Sequence, residues 1–154
     1  MAKNYLNNKA LPRGIRNNNP GNLIRTSIDW LGKVPHSQNP DTRFEQFIEL
    51  RYGLRAMMRD LISDIKRGDN TITKLISVYA PASENNTPAY IKTVAAAIGL
   101  SPLAVIDLSQ DTIIALCKAM VRVENGNAYN IYINDNDYNE AMAILGIQLK
   151  KKVL

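Results

Sequence analysis

The sequence predicts a single, mainly α-helical domain with a small irregular or β element near its N-terminus. The chain has 154 residues, with 45% hydrophobic and 21% charged residues, which suits a globular protein with one sizeable core. Residues 1–43 are rich in Asn, Pro and Gly, whereas apolar residues recur at helical spacings from about Phe44 onward. We therefore treat residues 1–154 as one domain and expect flexible ends at 1–11 and 147–154.

The first part of the domain combines turns with one long helix. Short strands are predicted around residues 22–25 and near Trp30. A helix is predicted from about Phe44 to a stop at Gly68, and Gly53 within it indicates a break or a close helix contact. The apolar stripe of this helix consists of Phe47, Leu50, Leu54, Met58, Leu61, Ile62 and Ile65.

Capping residues delimit the later helices. One helix is predicted over residues 72–79, and the next begins with Thr87 as N-cap and ends at Gly99. A short helix is predicted over residues 103–106. Ser109 then caps a helix that reaches Glu124, and a last short helix covers about 139–145.

Composition limits the chemistry that is available. A net charge of +5 favours polyanionic partners such as nucleic acid, anionic lipid or acidic cell-wall polymer, although a merely soluble basic surface fits equally well. No window suits a signal peptide or a membrane span, so membrane insertion is not expected and delivery outside a cytoplasm would need another route. One cysteine, Cys117, interpreted as a small buried hydrophobe, and one histidine, His36, predict no disulfide, metal site or cofactor. Carboxylates remain as the main source of acid–base chemistry.

Glu124 is the carboxylate with the most informative position. It follows Met120 by four residues and Val121 by three, which places it on the apolar face of its helix at the last turn. Burial there and the negative end of the helix dipole both raise the pKa of a carboxyl group. A carboxylic acid that stays protonated near neutral pH can act as a general acid. The alternative is a solvated glutamate at a helix end.

Most other carboxylates are interpreted as surface charge. This group consists of Asp60, Asp64, Asp69, Glu45 and Glu49. Glu84 is the exception, because it lies in a polar loop between Tyr79 and Tyr90 and is either a second catalytic carboxylate or a local cap of the next helix.

Three loops contain unusually many asparagines. Amides that donate and accept hydrogen bonds, together with aromatic faces, suit a sugar ligand, although ordinary turn chemistry explains the asparagines equally well. The candidate substrate-binding residues are Asn18, Asn19, Asn22, Trp30, Asn85, Asn86, Tyr90, Asn125 and Asn127.

The blocks RGIRNNNPGNLI, YAPASENNTPAY and AMVRVENG together resemble a family of phage and prophage virion proteins. Members of that family are described as structural proteins or peptidoglycan hydrolases. The resemblance spans roughly residues 12–126. It implies a peptidoglycan-related role in or near a virion.

A deeper resemblance is to the lysozyme-like fold of soluble lytic transglycosylases. GLRAMMRDL, LISVYAP and YIKTV are similar to segments that follow the catalytic-acid helix in those enzymes, whereas here that helix, LCKAMVRVEN, comes last. The resemblance therefore implies a circular permutation, with Glu124 as general acid/base and Tyr79 as the loop tyrosine. The serine that follows the glutamate in those enzymes is Asn125 here, and their Gly-Leu-Met-Gln turn is absent.

The resemblance implies a glycosidase, a lytic transglycosylase or muramidase, that cleaves the MurNAc–GlcNAc bond of peptidoglycan glycan strands with Glu124. The alternatives are a non-catalytic virion structural or wall-binding protein and, on charge alone, a nucleic-acid-binding domain. The partners expected are glycan strands and other virion proteins, rather than nucleic acid. The expected location is the virion, or the host cytoplasm with delivery to the periplasm or wall.

Overall fold

A computed structural model describes residues 2–151, without the side chains of residues 127 and 128. The prediction of a mainly α-helical protein is confirmed. Within the described range there are six α-helices and two short 3-10 helices, His36–Gln38 and Asn127–Ile131. The α-helices are α1 Arg13–Arg16, α2 Leu50–Lys66, α3 Ile72–Tyr79, α4 Thr87–Ile98, α5 Gln110–Asn125 and α6 Asp135–Ala143.

Helix α2 forms the centre of the core. It packs against α3, α5 and α6, and every residue of the predicted apolar stripe is buried. Each such side chain contributes about 1.5–3 kcal/mol when it leaves water. The predicted start at Phe44 was wrong, because residues 44–49 are extended and α2 begins at Leu50.

Short backbone pairings replace the predicted strands. Ile24 forms an isolated antiparallel bridge with Phe44, and Lys33 forms another with Phe47. The segment 44–49 therefore pairs with the N-terminal region and cannot continue the helix backward. In the described part of the chain, no strand forms that is longer than such an isolated bridge.

Helices α3 and α4 pack against each other, and α4 ends at the predicted Gly99. Thr71 caps α3, and Gly99, with a φ of 69°, ends α4 in the left-handed region. The N-cap of α4 is Asn86 instead of Thr87, whose hydroxyl donates to the carbonyl of Ala80.

Helix α5 carries Glu124 in its last turn. Ser109 caps it as predicted and accepts a hydrogen bond from the Thr112 amide at 3.2 Å. Its apolar face packs against α1, α2 and α4, and Cys117 is fully buried as predicted, so burial raises the pKa of its thiol.

The C-terminal part differs from the prediction in two places. Helix α6 begins at Asp135, before the predicted start at about residue 139, because Asn134 and Asp137 form a capping box there. The helix predicted over residues 103–106 is a turn, and Val105 forms a bridge with Thr71.

The flexible ends predicted for residues 1–11 and 147–154 stay a prediction. Near the N-terminus, Lys3 forms an ion pair with Asp137 at 2.7 Å, and the Tyr5 hydroxyl donates to the carbonyl of Tyr132. Residues 152–154 lie outside the described range. Among residues 2–151, no helix combines the length and apolar character needed to cross a bilayer.

Candidate active site

Glu124 lies in a cleft of about 330 Å³ formed by the N-terminal region and helices α2, α3 and α5. We call it the Glu124 cleft. Pockets that bind small molecules have volumes of about 300–1,000 Å³, and the volume of this cleft lies within that range. Six of the predicted site residues line it, namely Asn22, Trp30, Tyr79, Glu84, Asn85 and Glu124.

The carboxyl group of Glu124 is partly buried and held by two donors. Asn22 Nδ2 donates to Oε1 at 2.9 Å, and the Tyr90 hydroxyl donates to Oε2 at 2.9 Å. Burial raises the pKa of Glu124, while the hydrogen bonds from Asn22 and Tyr90 favour the charged form and oppose this rise. Burial is the larger effect, so the direction of the predicted pKa shift is confirmed.

The loop that presents Asn22 depends on buried asparagines. Asn18 and Asn19 are both 0% exposed. Asn18 Nδ2 donates to the carbonyl of Phe47, and Asn19 Nδ2 donates to the carbonyls of Leu23 and Glu45. Asn18 and Asn19 are thus held within the loop by their amide contacts and do not line the cleft, and their role in substrate binding stays a prediction.

Asn22 itself adopts a left-handed backbone with a φ of 51°, a conformation that asparagine tolerates. Its amide nitrogen donates to the carbonyl of Asn19 at 2.9 Å, which closes a tight turn. The turn aims the Asn22 side chain at Glu124, more than one hundred residues away in sequence.

Tyr79 lies at the end of α3 and braces the same loop. Its hydroxyl donates to the carbonyl of Gly21, and a Cβ at Gly21 would come within 2.5 Å of that hydroxyl oxygen. Burial and then the negative charges around it, those of Glu124 and Asp60 among them, raise the pKa of Tyr79. Tyr79 is thus a neutral hydrogen-bond donor at the wall of the cleft.

The rim of the cleft is more exposed and partly apolar. Glu84 forms an ion pair with Arg43 at 2.8 Å, and both side chains are exposed. Ile24, Ile28 and Val78 are about half exposed beside Trp30. Such a surface can contact the apolar face of a sugar ring.

Three further predicted residues serve the fold. Asn86 caps α4. Tyr90 is buried behind Glu124 and reaches it only through its hydroxyl. Asn125 Nδ2 donates to the carbonyls of Pro20 and Val121, which fastens the end of α5 to the N-terminal loop. The side chain of Asn127 lies outside the described residues.

The interpretation of Asp60 and Asp64 as surface charge was wrong. Both line the Glu124 cleft together with Arg67, and Asp64 is only 5% exposed and pairs with Arg67. Burial, followed by the charge of Asp64, raises the pKa of Asp60 to about 6. Asp60, Asp64 and Arg67 follow one another at spacings of four and three residues, and this spacing was the signal in the sequence that they share one face of α2.

Glu45 was also predicted at the surface, but it is 0% exposed. Its carboxylate contacts His36 Nε2 at 2.7 Å and Lys33 Nζ at 3.2 Å, and it accepts a hydrogen bond from the Thr26 amide. These contacts compensate for the loss of water around the charge. Glu45 therefore stabilises the irregular region that forms one wall of the cleft.

Replacing Tyr90 with Phe should raise the pKa of Glu124 further. The change removes a hydrogen bond that favours the ionised carboxylate, whereas the burial of Glu124 is retained. Titration of the Glu124 carboxyl carbon by NMR should therefore shift to higher pH. Tyr52→Phe is the control. It removes a hydroxyl that accepts a hydrogen bond from Arg51, and it should leave the Glu124 titration unchanged. A lower Glu124 pKa in Tyr90→Phe would contradict this geometry.

The fold and the cleft define a helical protein in which the partly buried carboxyl group of Glu124 lines a partly apolar cleft together with Asp60 and Asp64. No protein-family model matches the chain. The chain is 36% identical over 119 residues to Protein P5 of Pseudoalteromonas phage PM2, in an alignment covering 75% of this chain and 72% of Protein P5. The chain belongs to the same family as this bacteriophage protein.

Proposed function

We propose that this protein is a peptidoglycan-cleaving glycosidase in which Glu124 is the general acid/base. The observation that carries the proposal is the position of Glu124, whose carboxyl group lies in a cleft, is held by Asn22 and Tyr90 and has a pKa raised by burial. A glycosidic oxygen needs a proton donor at the moment its bond to C1 breaks, and a carboxylic acid of raised pKa supplies one near neutral pH.

The reaction would proceed in two steps. Glu124 gives its proton to the leaving glycosidic oxygen as the C1–O bond breaks and positive charge develops on the sugar ring. The resulting Glu124 carboxylate then accepts a proton from the hydroxyl that attacks C1. If that hydroxyl is the C6 hydroxyl of the same muramyl residue, the product is a 1,6-anhydro sugar; if it is water, the product is a reducing end.

Asp60 is a better candidate than Glu84 for a second carboxylate. Glu84 is exposed and paired with Arg43, whereas Asp60 lines the cleft and is largely removed from water there. A carboxyl group with a pKa of about 6 is ionised in most of the molecules at neutral pH and can accept a proton from water.

We also propose that the domain is a circularly permuted member of the lysozyme-like fold. Helix α5, which carries Glu124 in its last turn, follows α2, α3 and α4 in the chain and packs against α2 and α4. This arrangement agrees with the order of the sequence segments that resemble lytic transglycosylases. The phage relative supports placement in the virion, with other virion proteins as partners.

A second candidate function is that of a non-catalytic virion structural or wall-binding protein. Leu103 and Val105, in the segment between α4 and α5, are 76% and 69% exposed, which would suit contact with another protein. In that case the protein would bind cell walls, or other virion proteins, without releasing glycan fragments.

Digestion of purified sacculi followed by mass spectrometry tests the two candidates. We expect soluble muropeptides, and the ends of their glycan chains will show whether water or the C6 hydroxyl attacks. Sedimentation of the protein with sacculi without release of any muropeptide would reject the glycosidase and support the second candidate.

A further inference from the structure

A second pocket, of about 560 Å³, adjoins the Glu124 cleft. Ile28 and Trp30 line both spaces, so one elongated ligand could occupy both. On its other side this pocket is lined by Arg55 and Arg59, which are four residues apart on α2 and therefore neighbours on one helix face. We call this space the Arg pocket.

The two arginines have the chemistry of an anion site. Arg55 Nε donates to the carbonyl of Ile144 at 2.9 Å, and an Nη of Arg59 donates to the carbonyl of Leu145 at 2.7 Å. A guanidinium group has five N–H donors, so most donors on each arginine are not used by these contacts. The carbonyl contacts hold both groups in place at the C-terminal end of α6.

No carboxylate in the described residues neutralises this pair of charges. None of the ion pairs within residues 2–151 includes Arg55 or Arg59. Burial, and after it the nearby charge of Arg59, lower the pKa of Arg55. An anion bound between the two groups would offset the repulsion between their charges.

With the other charged groups of the Arg pocket included, the net charge of its lining stays positive. Lys33 also lines it, but its ammonium group contacts Glu45 at 3.2 Å and the carbonyls of Thr26 and Ile28. Asp29 is an exposed residue at the pocket and contributes one negative charge. Two guanidinium groups therefore face one exposed carboxylate.

We propose that the Arg pocket binds a carboxylate on the peptide substituent of the glycan strand whose sugars occupy the Glu124 cleft. This inference rests on the proposed function, because it takes peptidoglycan as the polymer in the cleft. Guanidinium groups bind carboxylates with paired hydrogen bonds, and the peptides of peptidoglycan carry free carboxylates. The Arg pocket would then distinguish peptide-bearing strands from bare glycan.

Trp30 provides a direct measurement, since it is the single tryptophan of the chain and lines the Arg pocket. Its fluorescence would be titrated with a GlcNAc–MurNAc tetrapeptide and with the same compound after conversion of its carboxylates to methyl amides. For the wild-type protein we expect Kd to be about tenfold lower for the free acid, with the difference shrinking at high salt.

The double variant Arg55→Gln/Arg59→Gln should bind the two compounds equally. Lys66→Gln/Lys74→Gln, which removes the same charge from two exposed residues, should keep the tenfold difference. If the first double variant does not fold, each single arginine variant retains one carbonyl contact and should show a smaller difference. Equal binding of both compounds by the wild-type protein, no binding of the free acid, or a full difference in the arginine variants would overturn the proposal.

Cleavage of sacculi is measured separately from this binding. A wild-type protein that prefers the free acid but releases no muropeptides would refute the proposed glycosidase and leave the Arg pocket supported. A protein that cleaves sacculi but binds both compounds equally would refute the Arg pocket alone.

Discussion

The Glu124→Gln variant is expected to lose about 10²–10⁴-fold in the rate of muropeptide release, the usual contribution of general acid–base catalysis. Glutamine keeps the shape of the side chain, and its amide oxygen can still accept the hydrogen bond from Asn22 while its NH2 group donates to the Tyr90 hydroxyl, but it cannot transfer a proton. The rate is measured as soluble muropeptides released per unit time from purified sacculi.

The stability of the Glu124→Gln variant separates lost chemistry from lost structure. A carboxyl group whose pKa is raised on folding binds its proton more tightly in the folded state, so its stabilising effect is present below the unfolded pKa. That effect is lost as the pH rises through the folded pKa. At neutral pH and above, the glutamine variant should therefore unfold at the same urea concentration as the wild-type protein or at a higher one.

Asp111→Asn is the matched control for Glu124→Gln. Asp111 lies on the same helix, in its first turn, and its side chain is exposed. The control should keep the wild-type rate of muropeptide release. A Glu124→Gln variant that releases muropeptides as fast as this control would show that Glu124 is not the acid.

Most of the helical framework could be predicted from local sequence. The apolar stripe of α2, the Ser109 cap of α5 and the left-handed Gly99 each depend on residues within one or two turns of one another. Glu124 could be placed for the same reason, because its spacing from Met120 and Val121 sets its helix face.

The remaining features depend on contacts between distant residues. Residues 44–49 have a helical apolar pattern, yet bridges to Ile24 and Lys33 hold them extended. Asn18 and Asn19 lie in an asparagine-rich loop of the kind that suits a sugar ligand. Only the fold shows that their amides bind carbonyls of Phe47 and Glu45. Local spacing cannot distinguish a buried amide from one that faces a ligand.

These distant contacts also explain how a loop near the N-terminus can influence the pKa of Glu124. Asn125 binds the carbonyl of Pro20, and Tyr79 binds the carbonyl of Gly21. The loop is therefore fastened to α5 and α3 immediately before Asn22. A displacement of the loop should alter the hydrogen bond from Asn22 to Glu124, and with it the pKa of the acid.

Gly53→Ala should produce such a displacement and reduce stability strongly. Alanine is favoured over glycine inside a helix by about 1 kcal/mol, so helix propensity alone predicts a more stable protein. However, a Cβ at residue 53 would lie 1.7 Å from the carbonyl oxygen of Asn18, a backbone atom that cannot move aside by rotating a side chain. We expect the clash to prevail and to lower the free energy of unfolding by about 3 kcal/mol or more.

The free energies of unfolding of Gly53→Ala and Gly99→Ala, measured in urea, decide whether helix propensity or the clash with the Asn18 carbonyl prevails at residue 53. Gly99 has a φ of 69°, and a Cβ added there would meet no atom within 4 Å, so its alanine variant should lose only about 1–2 kcal/mol through backbone strain. The Asn22 side-chain amide signal in NMR should shift in Gly53→Ala and remain in place in Gly99→Ala. A Gly53→Ala protein as stable as the wild type would mean that the Asn18 carbonyl does not lie against α2, and the link from this loop to Glu124 would fail with it.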